Sequence, residues 1–171
     1  ADGAMELRFE RTSGDAAIVT EILVETVPAA YLYTYSVDPG SGVVPEGATL
    51  LQGAEYGGAP WGPEPAKTIG YDGVSVIYGF SQMDPDTTYR VTVTYFEADG
   101  SGRGHQLVTD DGTTLHGPQG YPAVPTTYTY TIPSSVYADG AMELRFERTS
   151  GDVAMVTEIL VETVVPAAYL Y

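Results

Sequence analysis

Apolar and polar residues alternate along several short segments of the chain, which is the pattern of β-strands with one buried face. Turn-forming Asp, Gly and Pro residues separate these segments, and no segment keeps the period of an amphipathic helix. The alternation predicts strands at residues 74–80, 89–96, 105–109, 113–116 and 126–132. Many short strands without helices indicate an all-β fold, and we predict a jelly-roll-like antiparallel β-sandwich.

The sequence contains a long internal repeat. Residues 1–27 and 138–164 differ at only two positions, and residues 28–33 recur as 166–171 after one inserted valine. The repeat distance is 137 residues before the insertion and 138 after it. Self-similarity at a fixed distance is the signature of chains built from repeated modules.

The two differences between the copies are exchanges of one apolar residue for another. Ala16 corresponds to Val153, and Ile18 corresponds to Met155. Positions two residues apart lie on the same side of a strand, and packed interiors tolerate apolar exchanges. We therefore interpret both positions as lying on the core face of an element that is present twice.

Each copy of the repeat predicts a β-hairpin. In the second copy, apolar residues alternate with charged ones on both sides of a turn at residues 149–152. The apolar series comprises Met142, Leu144, Phe146, Val153, Met155, Ile159 and Val161. An isolated two-stranded hairpin is marginally stable in water, so each copy requires a larger sheet. The chain would thus carry an extra N-terminal β-hairpin equivalent to the C-terminal one.

The rest of the chain predicts the strands of one sandwich, although either of the two hairpins could complete it. We predict that residues 1–27 are the terminal hairpin of a preceding repeat, residues 28–37 are a connector and first strand, and residues 38–171 are one sandwich module. This module would end in the repeated hairpin 138–164 and the next connector, 165–171. Two alternatives remain open, namely donation of the first hairpin to another chain by strand exchange and a duplication without function.

Residues 38–73 differ in composition from the rest of the chain. They contain nine Gly and five Pro residues and only short apolar clusters. Gly and Pro interrupt regular structure. We predict a looped surface segment here.

Composition and charge exclude several classes of partner. The chain carries 23 Asp and Glu residues against 7 Lys and Arg residues, which gives a formal net charge of −16. Such a charge repels phosphate backbones and anionic lipid headgroups, so we expect no nucleic-acid partner and no membrane insertion. Cysteine is absent, so a packed apolar core must stabilise the fold without disulfides.

Two stretches resemble a known domain family. They are MDPDTTYRVTVTYFEADGSGR at residues 83–103 and DGAMELRFERTSGDVAMVTEILVE at residues 139–162. They are similar to strands of galactose-binding-like jelly-roll domains, the architecture of many carbohydrate-binding modules and of repeats in large extracellular bacterial surface or fibre proteins. The resemblance implies a jelly roll and an extracellular, cell-surface setting. The sugar-site residues of that family lie in variable loops, so none is carried over to this chain.

No residues form a recognisable catalytic constellation. His105 and His116 are the two histidines, and neither lies in a nucleophile-elbow or zinc-protease pattern. We interpret them as exposed or half-buried strand residues that flank one hairpin. The acidic residues single out no pair of the kind that a glycosidase requires. We therefore expect no catalytic residues, no cofactor and no enzymatic activity.

The acidic excess leaves calcium as a candidate ligand. Hard cations bind carboxylate oxygens, which turns often supply. The candidates on predicted turns are Asp84, Asp86, Asp110 and Asp111. None of them matches an EF-hand loop, and turn formation is an alternative role for all four.

Aromatic side chains supply the candidates for a carbohydrate site. Trp61, Tyr56 and Tyr71 lie in the Gly-rich segment and could form a stacking platform for a sugar ring. Trp61 could instead cover the end of the sandwich or pack on the next module. Tyr128 and Tyr130 alternate with threonines, which suits contacts between modules as well as a core edge.

These observations favour a structural function. We expect a module of an extracellular fibre, stalk or filament, joined end to end through covalent repetition, strand exchange or both. Its partners would be identical modules or subunits. The alternative is a carbohydrate-binding module of an adhesin or of a secreted polysaccharide-degrading protein, with a glycan as its partner.

Overall fold

The computed structural model describes residues 35–57, 68–97 and 99–164, and the fold is reported for these residues. All of them belong to one unit of the chain, Tyr31–Tyr171. The first copy of the repeat lies outside the described residues, as do Trp61 and both predicted connectors up to residue 34 and beyond residue 164. What the sequence predicts for those segments stays a prediction.

The described residues form an all-β fold with a single 3₁₀ turn, Ser134–Tyr137. In chain order the strands are β1 (Tyr35–Val37), β2 (Ala48–Gln52), β3 (Ala54–Tyr56), β4 (Ile69–Asp72), β5 (Ser75–Ser81), β6 (Tyr89–Tyr95), β7 (Gly104–Thr109), β8 (Thr114–Gly120), β9 (Thr126–Ile132), β10 (Ala141–Ser150), β11 (Ala154–Val156) and β12 (Glu158–Thr163). The strands predicted between residues 74 and 132 are confirmed as β5 to β9. In this part of the chain no helix has the length and apolarity needed to cross a membrane.

Two antiparallel sheets enclose one hydrophobic core. Sheet A has the strand order β1-β12-β6-β9, and sheet B has the order β2-β5-β10-β7-β8. A smaller sheet C has the order β11-β4-β3. Every pairing is antiparallel. This architecture confirms the predicted antiparallel β-sandwich.

The core follows from the alternation of side chains along the strands. On β6, Tyr89, Val91, Val93 and Tyr95 are fully buried, as predicted, whereas Arg90 is exposed. The largest buried side chains that face them from sheet B are Tyr78, Phe80, Leu107, Met142, Leu144 and Phe146. Full burial of a Val, Leu or Phe side chain contributes about 1.5–3 kcal/mol. A core of this size can hold the fold together without disulfides.

The second copy of the repeated segment does not form a hairpin, and this detail of the sequence prediction is wrong for that copy. β10 pairs with β5 and β7 in sheet B, whereas β12 pairs with β1 and β6 in sheet A. The two strands face each other across the core, and the chain passes from one sheet to the other through residues 151–157. An alternating pattern fixes which face of a strand is buried but not which strand lies beside it. Each strand therefore has neighbours on both sides in its own sheet.

The register of β1 and β12 brings the two ends of the module together. Tyr35 lies opposite Val161, so the chain enters β1 beside the place where it leaves β12. We call this end of the sandwich the near pole. At the opposite end, the far pole, β12 starts at Glu158 beside Thr94, close to the end of β6.

The Gly-rich segment contains more regular structure than its composition predicts. β2, β3 and β4 all lie within residues 38–73, so the prediction of a looped surface is wrong for these strands. They are short, and on β2 only Ala48 is buried, which leaves a weak apolar signal in the sequence. Gly40 is needed for a close backbone approach, because a Cβ at this position (φ +83°) would lie 2.4 Å from the carbonyl oxygen of Tyr56.

Candidate functional site

A cavity of about 450 Å³ opens at the far pole of the sandwich. Sheet C forms one wall, and the residues that follow β6 and β10 form the other. Among the described residues, the lining comprises Tyr56, Ile69, Tyr71, Phe96, Glu97, Asp99, Arg103, Asp152, Val153 and Met155. Apolar walls with a few charged groups at the rim are typical of small-molecule sites.

Sheet C holds the aromatic wall of this cavity. Tyr56 lies opposite Ile69 across β3 and β4, and Tyr71 lies opposite Met155 across β4 and β11. Directly opposed residues of an antiparallel pair project from the same face and contact each other. The four side chains therefore form one continuous surface that faces the cavity.

Arg103 joins three carboxylates at the rim of the cavity. Its guanidinium lies 3.2 Å from Glu97 and 3.0 Å from Asp99, and it also binds Asp152. The hydrogen bond between Arg103 and Asp152 lowers the pKa of the carboxyl and raises the pKa of the guanidinium. Three carboxylates against one guanidinium leave the rim with a net negative charge.

Tyr121 fixes the strand that carries Met155. The Tyr121 hydroxyl donates a hydrogen bond to the Met155 carbonyl oxygen at 2.8 Å and accepts one from the Met155 amide. Burial raises the pKa of this hydroxyl. The Met155 backbone also pairs with β4, so it is held from two sides.

The two histidines lie in an aromatic cluster. Their predicted place on one hairpin is confirmed by the pairing of β7 with β8, but the prediction that both are exposed or half-buried is wrong for His105, which is fully buried. Its ring centroid lies 4.0 Å from the centroids of Tyr95 and Tyr121 and 5.0 Å from that of His116. Burial lowers the pKa of His105 to about 3. Neither histidine lines the cavity.

Two of the three predicted sugar-site residues meet at the cavity. Tyr56 and Tyr71 both line it, whereas Trp61 lies outside the described residues. The sequence prediction missed Phe96 and Arg103, which lie in the stretch 83–103 that carries the family resemblance but which that resemblance does not mark as site residues. A usable signal was the pair of positions at which the repeat copies differ, since both positions line this cavity.

The four calcium candidates lie on turns. Asp84 accepts a hydrogen bond from the Asp86 amide at 2.9 Å, and Asp111 accepts one from the Thr113 amide at 2.9 Å. Asp110 accepts one from a backbone amide of β10. Within the described ranges, no three potential metal-ligating side chains come together. Calcium binding by these residues stays a prediction.

Tyr128 and Tyr130 lie at the edge of the core. Both are half-buried and pack against the central cluster from β9. The threonines that alternate with them face outward, and the hydroxyl of Thr129 lies 3.0 Å from that of Thr92 on β6. This arrangement gives the tyrosines a packing role in the module, and their role in contacts between modules stays a prediction.

Comparison with solved structures bears on the fold. The chain is similar to β-glucuronidase 2 of Bacteroides uniformis, with a TM-score of 0.58 and 14% identity over 77% of this chain and 18% of that chain. It is also similar to the plant receptor-like kinase ANX2, with a TM-score of 0.55 and 14% identity over 70% of this chain and 40% of that chain. A third similar structure is the extracellular domain of ANXUR2 from Arabidopsis thaliana, with a TM-score of 0.52 and 11% identity over 78% of this chain and 47% of that chain.

These likenesses are partial and distant. The chain matches less than half of each of the three solved chains. No protein-family model and no curated protein matches the sequence. Since unrelated functions share β-sandwich folds, likeness at this level of identity shows the fold alone.

Proposed function

We propose that this chain contains a structural module of an extracellular tandem-repeat fibre, stalk or filament, without enzymatic activity. The observation that carries the proposal is the place of the repeated segment in the sandwich. Its second copy supplies β10 and β12, which lie in the interior of sheets B and A. The second copy therefore occupies both of these strand positions in the sandwich. The first copy would need the equivalent strand positions in another sandwich module.

The first copy keeps the residues that the second copy buries. Leu7 and Phe9 correspond to Leu144 and Phe146, whose side chains are fully buried between the sheets. Such side chains gain about 1.5–3 kcal/mol each on burial. Their retention supports an equivalent place for the first copy in the core of another module.

Covalent repetition explains this arrangement better than strand exchange. A donated strand is added most simply at a sheet edge, where backbone groups lack partners. β10 and β12 are interior strands, so an exchange between chains would have to open both sheets. It would also leave one copy of the segment in excess in every chain.

The near pole suggests how successive modules are joined. Eight residues, 27–34, separate Thr26, the counterpart of Thr163, from the start of β1. Eight residues span no more than about 30 Å. Because β1 starts beside the end of β12, we expect the chain to enter and leave each module at its near pole.

Matched substitutions in the two copies test this proposal. Leu144→Ala should lower the free energy of unfolding of the sandwich by about 2–5 kcal/mol, because it leaves a cavity in the core. Leu7→Ala in the full chain should leave the same transition unchanged. Urea unfolding followed by far-ultraviolet circular dichroism measures both.

Equal destabilisation by the two substitutions would mean that both copies share this sandwich, which would contradict the proposal. The mass of the native polypeptide gives an independent test. It should exceed the mass of this chain by whole repeats of 137 or 138 residues. A native chain without further repeats would also contradict the proposal.

A second candidate function is carbohydrate binding at the far pole. It is favoured by the meeting of Tyr56, Tyr71 and Phe96 in one cavity that also carries charged hydrogen-bonding groups. An aromatic ring offers an apolar face to a sugar ring, and charged side chains bind its hydroxyl groups. The negative rim favours neutral or amino sugars over uronic acids, because like charges repel.

Glycan-array binding tests this second function. Binding should be lost in Tyr56→Ala and in Trp61→Ala, while Tyr128→Ala, at a tyrosine that does not line the cavity, should retain it. Tyr56 is 44% exposed, so its removal should perturb stability little. Absence of binding to every neutral and amino sugar would contradict carbohydrate binding and leave the structural function intact.

A further inference from the structure

The two positions that distinguish the repeat copies both line the far-pole cavity. Val153 and Met155 of the second copy stand where the first copy has Ala16 and Ile18. Of the whole repeated segment, only these two residues and Asp152 line the cavity in the described structure. Two substitutions placed at random in the segment would rarely both fall on this small surface.

The exchanges are absent from the closed core of the module. The buried residues of β10 and β12 are the same in both copies. Ala154 and Val156 of β11 belong to the core cluster, whereas Met155 of β11 and Val153, which precedes this strand, do not. The expectation that the two differing positions lie on a core face is therefore wrong for Val153, which is half-buried. Met155 is buried, but it lies outside the core cluster and lines the cavity together with Val153.

The backbone around Met155 is fixed, so an exchange of its side chain changes the cavity and not the course of the strand. Met155 pairs with Tyr71 on β4, and the Tyr121 hydroxyl binds both its amide and its carbonyl oxygen. Replacement by isoleucine exchanges a flexible thioether for a stiff β-branched side chain. Alanine at position 153 removes two carbon atoms from the wall.

We propose that residues 153 and 155 determine ligand specificity at the far pole, so that modules with the two versions of the segment accept sugar substituents of different size. This inference rests on the carbohydrate-binding function proposed above for the cavity. In the version with alanine and isoleucine, the cavity is wider at position 153. This version should accept a bulkier ring substituent, such as an N-acetyl group, than the version with valine and methionine.

The test transfers the residues of the first copy into the second. The full chain with Val153→Ala and Met155→Ile is compared with the unchanged chain by calorimetric titration with methyl glycosides and with their N-acetylamino counterparts. One methylene in an apolar pocket changes selectivity by roughly 10-fold to 200-fold. We expect the ratio of the two Kd values to shift by about 10-fold or more toward the N-acetylamino probes.

The reverse exchange provides the matched control. Ala16→Val with Ile18→Met alters the same residue types in the first copy and should leave the ratio unchanged. Binding with an unaltered ratio in the Val153→Ala, Met155→Ile chain would overturn this inference alone. Absence of binding by both chains to all probes would overturn the carbohydrate function and this inference together. Unfolding curves of the two chains show whether the exchanged chain keeps its fold.

Discussion

Replacement of His105 by phenylalanine should remove most of the protein's sensitivity to mild acid. His105 is fully buried on β7, and its Nδ1 atom has no hydrogen-bond partner among the described residues. The side chains around it are the rings of Tyr95, Tyr121 and His116, with Gln119 at 3.4 Å. These contacts include no carboxylate that could stabilise an imidazolium.

The magnitude follows from the pKa of His105. Burial, with a smaller contribution from His116, lowers this pKa from an ordinary 6.5 to about 3. Below pH 6.5, His105 therefore binds a proton in the unfolded chain, whereas in the folded chain it stays neutral until the pH approaches 3. Stability is fully present above pH 6.5 and is lost as the pH falls toward 3, by about 1.4 kcal/mol per pH unit. At pH 4.5 the loss amounts to about 2.5 kcal/mol.

The assay is urea unfolding of the full chain at a series of pH values between 7 and 4.5. The hydrogen-bonded carboxyls of Asp72, Asp111 and Asp152 have lowered pKa values in the folded chain, and their contribution to stability is lost only as the pH falls below about 5. The change between pH 7 and about 5 therefore reports on the histidines. His105→Phe keeps a planar ring in the cluster and removes the titrating group. Its free energy of unfolding at pH 7 should equal or exceed that of the unchanged chain.

His116→Gln serves as the control for this prediction. Burial also lowers the pKa of His116, but its side chain is only half-buried and its Nδ1 lies 2.8 Å from the Gly117 carbonyl oxygen. His116→Gln should therefore reduce the loss of stability at acid pH by less than His105→Phe does. An unchanged chain whose stability is flat between pH 7 and 4.5, or an equal loss in His105→Phe, would refute the reasoning.

Three matched pairs of substitutions, measured by urea unfolding at neutral pH, test other parts of the structure. Tyr121→Phe should cost about 1–3 kcal/mol, because the Met155 amide and carbonyl lose their partner, and Tyr128→Phe should change stability by less than about 0.5 kcal/mol. Gly42→Ala should cost about 1–2 kcal/mol through its positive φ alone; Gly40→Ala should cost clearly more, because its Cβ would also collide with the Tyr56 backbone. Arg103→Met should cost about 3 kcal/mol by leaving buried Glu97 without its cation, whereas Arg90→Met, in an exposed pair with Glu162, should cost less than about 1 kcal/mol. Equal effects within any matched pair would contradict the contact assigned to it.

The sequence predicts strands well where one face of the strand is buried. β6 and β9 alternate over seven residues each, and the structure has both where the pattern places them. The same signal indicates the burial of His105, which stands two residues before the buried Leu107 on one face of β7. The prediction treated this histidine by residue type and not by its position in the strand, and was wrong for that reason.

The alternation of apolar and polar residues does not predict which strands pair with each other. The repeated segment reads equally well as a hairpin or as two strands that face each other across the core, because both arrangements bury the same side chains. The candidate site depends on such long-range placement. Tyr56 and Tyr71 come from one segment of sequence, but Phe96, Arg103 and Met155 reach the cavity only through the pairing of distant strands.

The adjacency of Tyr35 and Val161 bears on how such a chain can evolve. A folding unit whose first and last strands are neighbours can be inserted into a polypeptide, or removed from it, while the flanking segments stay in place. Unequal recombination between nearly identical coding repeats would then change the number of units without disturbing any hydrophobic core. Selection could then adjust the length of the polypeptide in steps of one whole folding unit.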